Sequence, residues 1–259
     1  MAGLKSNNPV FGNAPTLKQG SSFGAPGYPT PGDVQQVFST PQRLTMDDII
    51  MKTGLLLGIV VVLGAVTWIS NAPIGAVMGA AIAGLVLALV NIFKKQISPP
   101  LVLAYAACEG VFVGGISHLY NDAYNGIALQ AAVGTSAIFG GVLLAFTSGK
   151  LKATPRFTKI VSGAFVGLFA LLILNLVIGL VGGGNGLGLR SGGGIAILFS
   201  IAFIAVGSMT FVLDFDRAQQ MVNAGVDERE SWRIAFGLVV GLVWLYLEVL
   251  RLLSYLNRR

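Results

Sequence analysis

"IAFGLVVGLVWLYLEVLRLL" occupies Ile234–Leu253. Its reading decides the fold. Twenty residues at 1.5 Å per residue reach ~30 Å, the thickness of a bilayer's hydrocarbon core. The run is continuously apolar, whereas a barrel strand alternates, so it reads as a membrane helix. Glu248 and Arg251 stand inside it, one turn apart. Charge in hydrocarbon is costly, and such residues usually face a bundle interior, pair with each other or line a pathway. What Glu248 faces therefore bears on both architecture and function.

Outward from this helix, six more apolar stretches of similar length precede it: Ile49–Ile69, Ala72–Phe93, Pro99–Leu119, Gly126–Phe146, Phe157–Val181 and Gly194–Leu213. Composition agrees. Of 259 residues, 54% are hydrophobic and only 11% charged, against about 25% charged in soluble domains. The mean hydropathy is +0.76. The expectation is an all-α integral membrane protein, a bundle of seven transmembrane helices over 45–259. Small residues recur four apart at Gly75/Gly79, Ala80/Gly84, Gly110/Gly114 and Gly163/Gly167, a spacing that lets helix backbones approach closely.

Residues 1–44 hold six of the ten prolines and many Gly, Ser and Asn. They lack periodicity and read as a disordered cytoplasmic tail, with no cleavable signal peptide. Thr45, with Asp48 three residues on, has the form of a helix start.

Lys and Arg set the orientation. With a cytoplasmic N-terminus, thirteen of the seventeen basic residues fall on the inner side, leaving Arg190, Arg251, Arg258 and Arg259 outside. That bias predicts N-in, C-out in a plasma (bacterial inner) membrane. The basic C-terminus is the dissent; an incomplete last span would put both ends inside. The net charge of +6 thus follows loops facing the cytoplasm and needs no nucleic-acid partner. One cysteine, Cys108, and one histidine, His118, exclude an intramolecular disulfide and leave little for zinc or haem chemistry. No resident cofactor is expected. The loop "GLVGGGNGLGLRSGGG" (Gly179–Gly194) neither follows a strand nor opens a nucleotide-binding unit, and reads as a flexible linker.

The acids carry the functional reading. Glu109 lies midway along the third span, in "AYAACEGVFVGG"; Asp214 and Asp216 close the sixth, in "TFVLDFDRAQQMV". Each has a structural alternative. Asp216 precedes Arg217, Asp214 fits the interface, and Glu248 reaches Arg251 along one helical face. Arg251 has the further option of snorkelling outward. Glu109 has no basic residue within a turn. Sequential helices with a short connection are usually antiparallel neighbours, so Asp216 and Glu248 are candidates to approach. Two carboxyls in a poorly hydrated site cannot both ionise cheaply and titrate as a coupled pair. Carboxylate oxygens also suit Ca²⁺. A pH-gated cation pathway follows, with Asp216 and Glu248 as sensor and transient Ca²⁺ ligands, Glu109 and Asp214 lining it and Arg251 as a latch. Counting from the intervening polar stretch, Asn223–Glu230, sets Glu248 on the order of 10–15 Å deeper than Asp216 on straight helices.

The same residues resemble a family. Phe215-Asp216, followed by a Gln (Gln219) one step displaced, resembles the aromatic-Asp-x-x-x-Gln motif of the Bax inhibitor-1 family. "LVWLYLEVLRLL" (Leu242–Leu253) resembles its last helix, which reads Leu-Tyr-Leu-Asp, and "FVGGISHLY" (Phe112–Tyr120) its third-span region. The Pro/Gly-rich tail and "DDIIMKTG" look like the bacterial, actinobacterial branch. The resemblance implies a bundle whose last helix is enclosed by the others. It also implies a pH-sensitive calcium leak sensed by two carboxylates, here Asp216 and Glu248, with Ca²⁺ as permeant ion. Two departures stand out: Glu for the second Asp, and a longer connection between the acids. Family members also act as interaction proteins, which leaves a membrane-embedded regulator without transport as the alternative, partnered by other membrane proteins. An intramembrane aspartyl protease is disfavoured, since Leu247-Glu248 stands where such enzymes carry Gly-x-Gly-Asp. A serine hydrolase would have to use His118, whose neighbour Ser117 points elsewhere on the helix. A proton-coupled transporter would show inverted repeats, and none is evident.

Overall fold

The computed structural model describes residues 43–182, 184 and 186–258. These described residues form seven helices: α1 (Met46–Ile69), α2 (Ile74–Phe93), α3 (Pro99–Ala123), α4 (Ile127–Thr147), α5 (Pro155–Gly182), α6 (Gly194–Asn223) and α7 (Glu230–Asn257). All seven are long and apolar enough to cross a membrane. The expected disordered tail, apart from Arg43 and Leu44, lies outside the described residues.

Local signals set the helix limits. Thr45 caps α1 reciprocally with Asp48: the Asp48 amide donates to Thr45 Oγ1 at 3.2 Å, and the Thr45 amide donates to Asp48 Oδ2 at 3.0 Å. Two orphan amides are thereby satisfied. Pro99 and Pro100 open α3, where missing N–H groups cost nothing. The last two helices exceed expectation. α6 runs ten residues past Leu213, and α7 begins four before Ile234, so the polar connection shrinks to 224–229.

Burial identifies the central helix. Half of the apolar window of α7 is buried, against 6% for α5. α7 packs closely on α1, α3, α4 and α6, and its Trp244 meets Phe165 of α5 edge to face, ring centroids 5.6 Å apart; α2 packs on α3. The last helix is therefore enclosed, by five of the other six. Two apolar clusters flank it. Phe211, Phe215, Leu238 and Leu245 lie in one; Leu56, Tyr105, Phe236 and Val239 lie in the other. Many large apolar side chains on the outer helix faces are exposed, among them Ile50, Val61, Phe93, Ile160 and Val181. In a bilayer they meet lipid.

Of the four small-residue pairs, one makes a close backbone approach. A Cβ at Gly114 would lie 2.3 Å from the Gly64 carbonyl oxygen, and one at Gly110 2.9 Å from that of Val60. α1 and α3 thus pack backbone to backbone. Gly84 meets α3 only in ordinary contact at 3.5 Å, while Gly75, Gly79, Gly163 and Gly167 have nothing within 4 Å.

One end of the bundle is clamped around Lys52. Its ammonium donates to Glu228 Oε1 at 2.8 Å and to Ser231 Oγ at 2.6 Å, and sits 5.4 Å over the Trp232 ring. The Leu44 amide donates to the Val226 carbonyl at 2.8 Å, and Leu44 is buried. Arg43 and Leu44, just ahead of the cap, are thus joined to this end of the bundle.

Candidate functional site

Glu248 sits on the central helix and is 1% exposed. A carboxylate so placed needs cationic or hydrogen-bonding partners, and it has two guanidiniums. Arg251, one turn on, donates through Nη1 to Glu248 Oε2, fulfilling the expected pairing along one helical face. The second partner is Arg190, whose Nη1 lies 3.2 Å from the same oxygen. Both arginine side chains are partly exposed, at 22% for Arg190 and 28% for Arg251. Glu248 Oε1 has no partner among the described residues.

Arg190 arrives from the glycine-rich α5–α6 connection, which the sequence presents as a flexible linker. It is instead a shaped cap. Asn175 of α5 accepts the Leu187 amide at 2.8 Å and the Leu189 amide at 3.4 Å through Oδ1. Gly186 has φ +61°, and a Cβ there would fall 2.3 Å from the Asn175 carbonyl oxygen. Only glycine fits that turn. Tyr255 of α7 donates its hydroxyl to the Arg190 carbonyl at 3.3 Å. The loop is thus tied to α5 and α7 and pushes one guanidinium into the bundle. A pocket of ≈ 330 Å³, lined in part by Asn175, Gly184 and Arg190, opens beside it.

Asp216 is elsewhere. The side-chain Nε2 of Gln220, one turn further along α6, donates to its Oδ2 at 2.6 Å. The register between α6 and α7 fixes the separation. A Cβ at Gly207 would meet Trp244 at 3.0 Å, and one at Gly241 would meet Phe211 at 2.9 Å. Glu248 is then level with about Phe203, roughly a dozen residues and ~18 Å along the axis from Asp216. The structure does not bring the two acids together, so they share no proton and no set of Ca²⁺ ligands. The physical reason lies in the connection: six residues join helices that extend well past the apolar stretch, and this leaves Asp216 near the Lys52 end and Glu248 toward the Arg190 end.

Asp214, half-buried, lies two residues from Asp216, on the same side of this divide. Glu109, also half-buried, faces Gly84 across the α2–α3 contact, 3.5 Å from the Cβ position of that glycine, beside the Tyr105 phenol. It lines no wall of α7's Glu248 cluster. Among the described residues no group of three or more His, Cys, Asp or Glu is placed to hold a metal ion.

Sequence reasoning missed Arg190, Asn175 and Gln220. The one available signal for Arg190 was its being the sole charge in a glycine-rich connection beside spans that bury an acid. Gln220 was legible: it stands four residues after Asp216, the spacing of one helical turn.

Residues 8–258 match the family model described as Bax inhibitor 1 like. No curated protein matches the chain.

Proposed function

We propose, for a chain that belongs to the Bax inhibitor 1 like family, a cation leak through the membrane along the central helix, with Ca²⁺ as permeant ion and Glu248 as its proton-sensitive element. The observation that carries this reading is a fully buried carboxylate on α7 neutralised by Arg190, a residue of a loop rather than of a helix. A salt bridge within one helix has no moving part. A loop arginine does, because its release opens the end of the bundle.

The mechanism follows from charge. With Glu248 ionised, Arg190 and Arg251 occupy Oε2 and the loop closes over the bundle. Protonation removes the charge that holds both guanidiniums, each on a partly exposed side chain. The loop then lifts and the path opens, so flux increases on acidification. A competing effect is loss of the anionic cation site. It is the smaller one, since Glu248 offers no free charge while two arginines hold it. Asp214 and Asp216 act as a separate acidic mouth near the Lys52 end, where they concentrate cations. This is a transport role rather than catalysis. The basic-residue bias supports a cytoplasmic Lys52 end, and the reading takes the membrane to be a bacterial plasma membrane.

The closed ion cluster also supports a second reading, a structural lock in a regulatory membrane protein that conducts nothing. Calcium flux into dye-loaded liposomes, measured against pH for wild type, Arg190→Ala and Glu248→Gln, separates the two. The leak requires flux that responds to pH in wild type and persists at neutral pH in Arg190→Ala. Absence of flux in all three folded proteins selects the lock.

A further inference from the structure

Lys150, Lys152, Arg156 and Lys159 fall within ten residues at the turn from α4 to α5, and no Asp or Glu occurs between Asp122 and Asp214. All four are exposed. Among the described residues none of them joins a salt bridge. The turn lies at the Lys52 end of the bundle, since Phe146 of α4 meets Phe215, the neighbour of Asp216, with ring centroids 5.6 Å apart. Cations elsewhere at this end do find carboxylates: Lys52 holds Glu228, and Arg233 holds Glu230. The turn itself is fixed. The Leu151 amide donates to the Ala145 carbonyl at 3.0 Å, the Thr154 amide to the Lys152 carbonyl at 2.9 Å, and the Phe157 amide to Thr154 Oγ1 at 3.2 Å. Like charges gathered on it repel one another, and this part of the chain supplies no anion to offset them.

α5 carries this corner into the membrane with two unlike faces. Val161 is buried, and Phe165 meets Trp244 of α7. On the opposite side Arg156, Ile160, Gly163 and Gly167 recur at spacings of three and four, which is one helical face. Ile160 is 70% exposed, and a Cβ at either glycine would meet nothing within 4 Å. Lys159 stands beside Ile160, ~6 Å past the start of the helix, and its long stem can carry the ammonium back to the interface. The face thus has cations at its membrane-surface end and an apolar strip below them. A phospholipid has the matching order, phosphate above acyl chain.

We propose that this corner binds an anionic phospholipid, its headgroup held by Lys150, Lys152, Arg156 and Lys159 and one acyl chain lying along the Ile160–Gly163–Gly167 face. Four cations without an acid select an anionic lipid over a zwitterionic one. The same charge selects against a second copy of the chain. Two copies joined symmetrically through this face, in one membrane orientation, would bring both sets of four cations together. The lipid also supplies an anchor where protein contacts are fewest, since α5 is the least buried of the seven helices.

The test uses the full chain in phosphatidylcholine vesicles with trace photoactivatable probes: phosphatidylglycerol and phosphatidylcholine of equal chain length, each carrying a diazirine on one acyl chain. Cross-links are mapped by mass spectrometry. In wild type phosphatidylglycerol labels α5 between Arg156 and Gly167 in about fivefold excess or more, the effect of a single basic residue near an anionic surface. Lys150→Gln with Lys152→Gln, and Arg156→Gln with Lys159→Gln, each lower that excess, and the four together abolish it. Lys150→Arg, Lys152→Arg and Lys159→Arg together keep it, because the charge is kept. Lys94→Gln with Lys95→Gln, cations beside the Glu230–Arg233 pair, leaves it unchanged. Equal labelling by the two probes in wild type overturns the proposal. So does an excess that survives all four substitutions, or one that falls as far in the Lys94 and Lys95 variant. Loss of the excess to inorganic phosphate, at ionic strength matched with chloride, overturns it in favour of a soluble anion. Efficient disulfide dimers of Ile160→Cys in a Cys108→Ser background overturn it in favour of a second copy.

Discussion

Arg190 and Glu248 are 58 residues apart in the chain and 3.2 Å apart in space. A loop arginine and a central-helix carboxylate therefore tie the α5–α6 connection to the core of the bundle. The pair lies too deep for the weak energetics of exposed ion pairs. Removing one partner of a buried pair typically costs ~3–5 kcal/mol, here reduced because both arginines can turn outward to water.

Glu248→Ala is expected to destabilise the protein by about 1–3 kcal/mol, since it leaves Arg190 and Arg251 without their shared anion. Glu248→Gln keeps the shape and one acceptor oxygen and should cost less. Thermal melts of both variants in detergent check the order. Equal losses would show that charge plays no part in holding the cluster.

The proposed leak couples flux to pH through Glu248 alone. Glu248→Gln cannot ionise, so its calcium flux should sit at the acid-side, open level and stay flat with pH. Asp216→Asn, ~18 Å away along the helices, should retain the wild-type pH profile and lower only its amplitude. A flat profile in Asp216→Asn with an intact one in Glu248→Gln would reverse the assignment.

Asn175 positions the cap without touching Glu248. Asn175→Ala should loosen the loop and raise neutral-pH flux toward that of Arg190→Ala, with the melting temperature nearly unchanged. Proteolytic nicking of the α5–α6 connection should rise in the same variant. Unchanged nicking would mean that the loop does not depend on this side chain.

Gly114→Ala tests the backbone contact between α1 and α3. Its Cβ would sit 2.3 Å from Gly64, so the helices must separate, at an expected cost of about 1–3 kcal/mol. Gly163→Ala, with nothing within 4 Å, should melt at or slightly above wild type. The comparison separates packing from the general preference of helices for alanine.

Much of the architecture was legible before any coordinates. Seven apolar runs and the Thr45–Asp48 cap are local properties, written in consecutive residues, and the structure has all of them. The Glu248–Arg251 pair was legible for the same reason, being three apart on one helix. The four small-residue pairs were not distinguishable from one another, because spacing shows that a close approach is allowed and only a facing backbone makes it happen. Gly114 has Gly64 opposite it; Gly163 faces open space.

By itself the sequence determined that this chain spans a membrane as seven helices and that Glu248 is buried in it, because burial of apolar length and the price of an intramembrane charge depend on composition along the chain. Only the tertiary structure decided which groups Glu248 meets. The register of α6 against α7 removes Asp216 from its reach by a dozen residues, and the folding-back of a glycine-rich loop brings Arg190 within 3.2 Å. Both depend on how far helices continue beyond their apolar stretches and on left-handed turns at single glycines. Hydrophobic pattern carries neither kind of information.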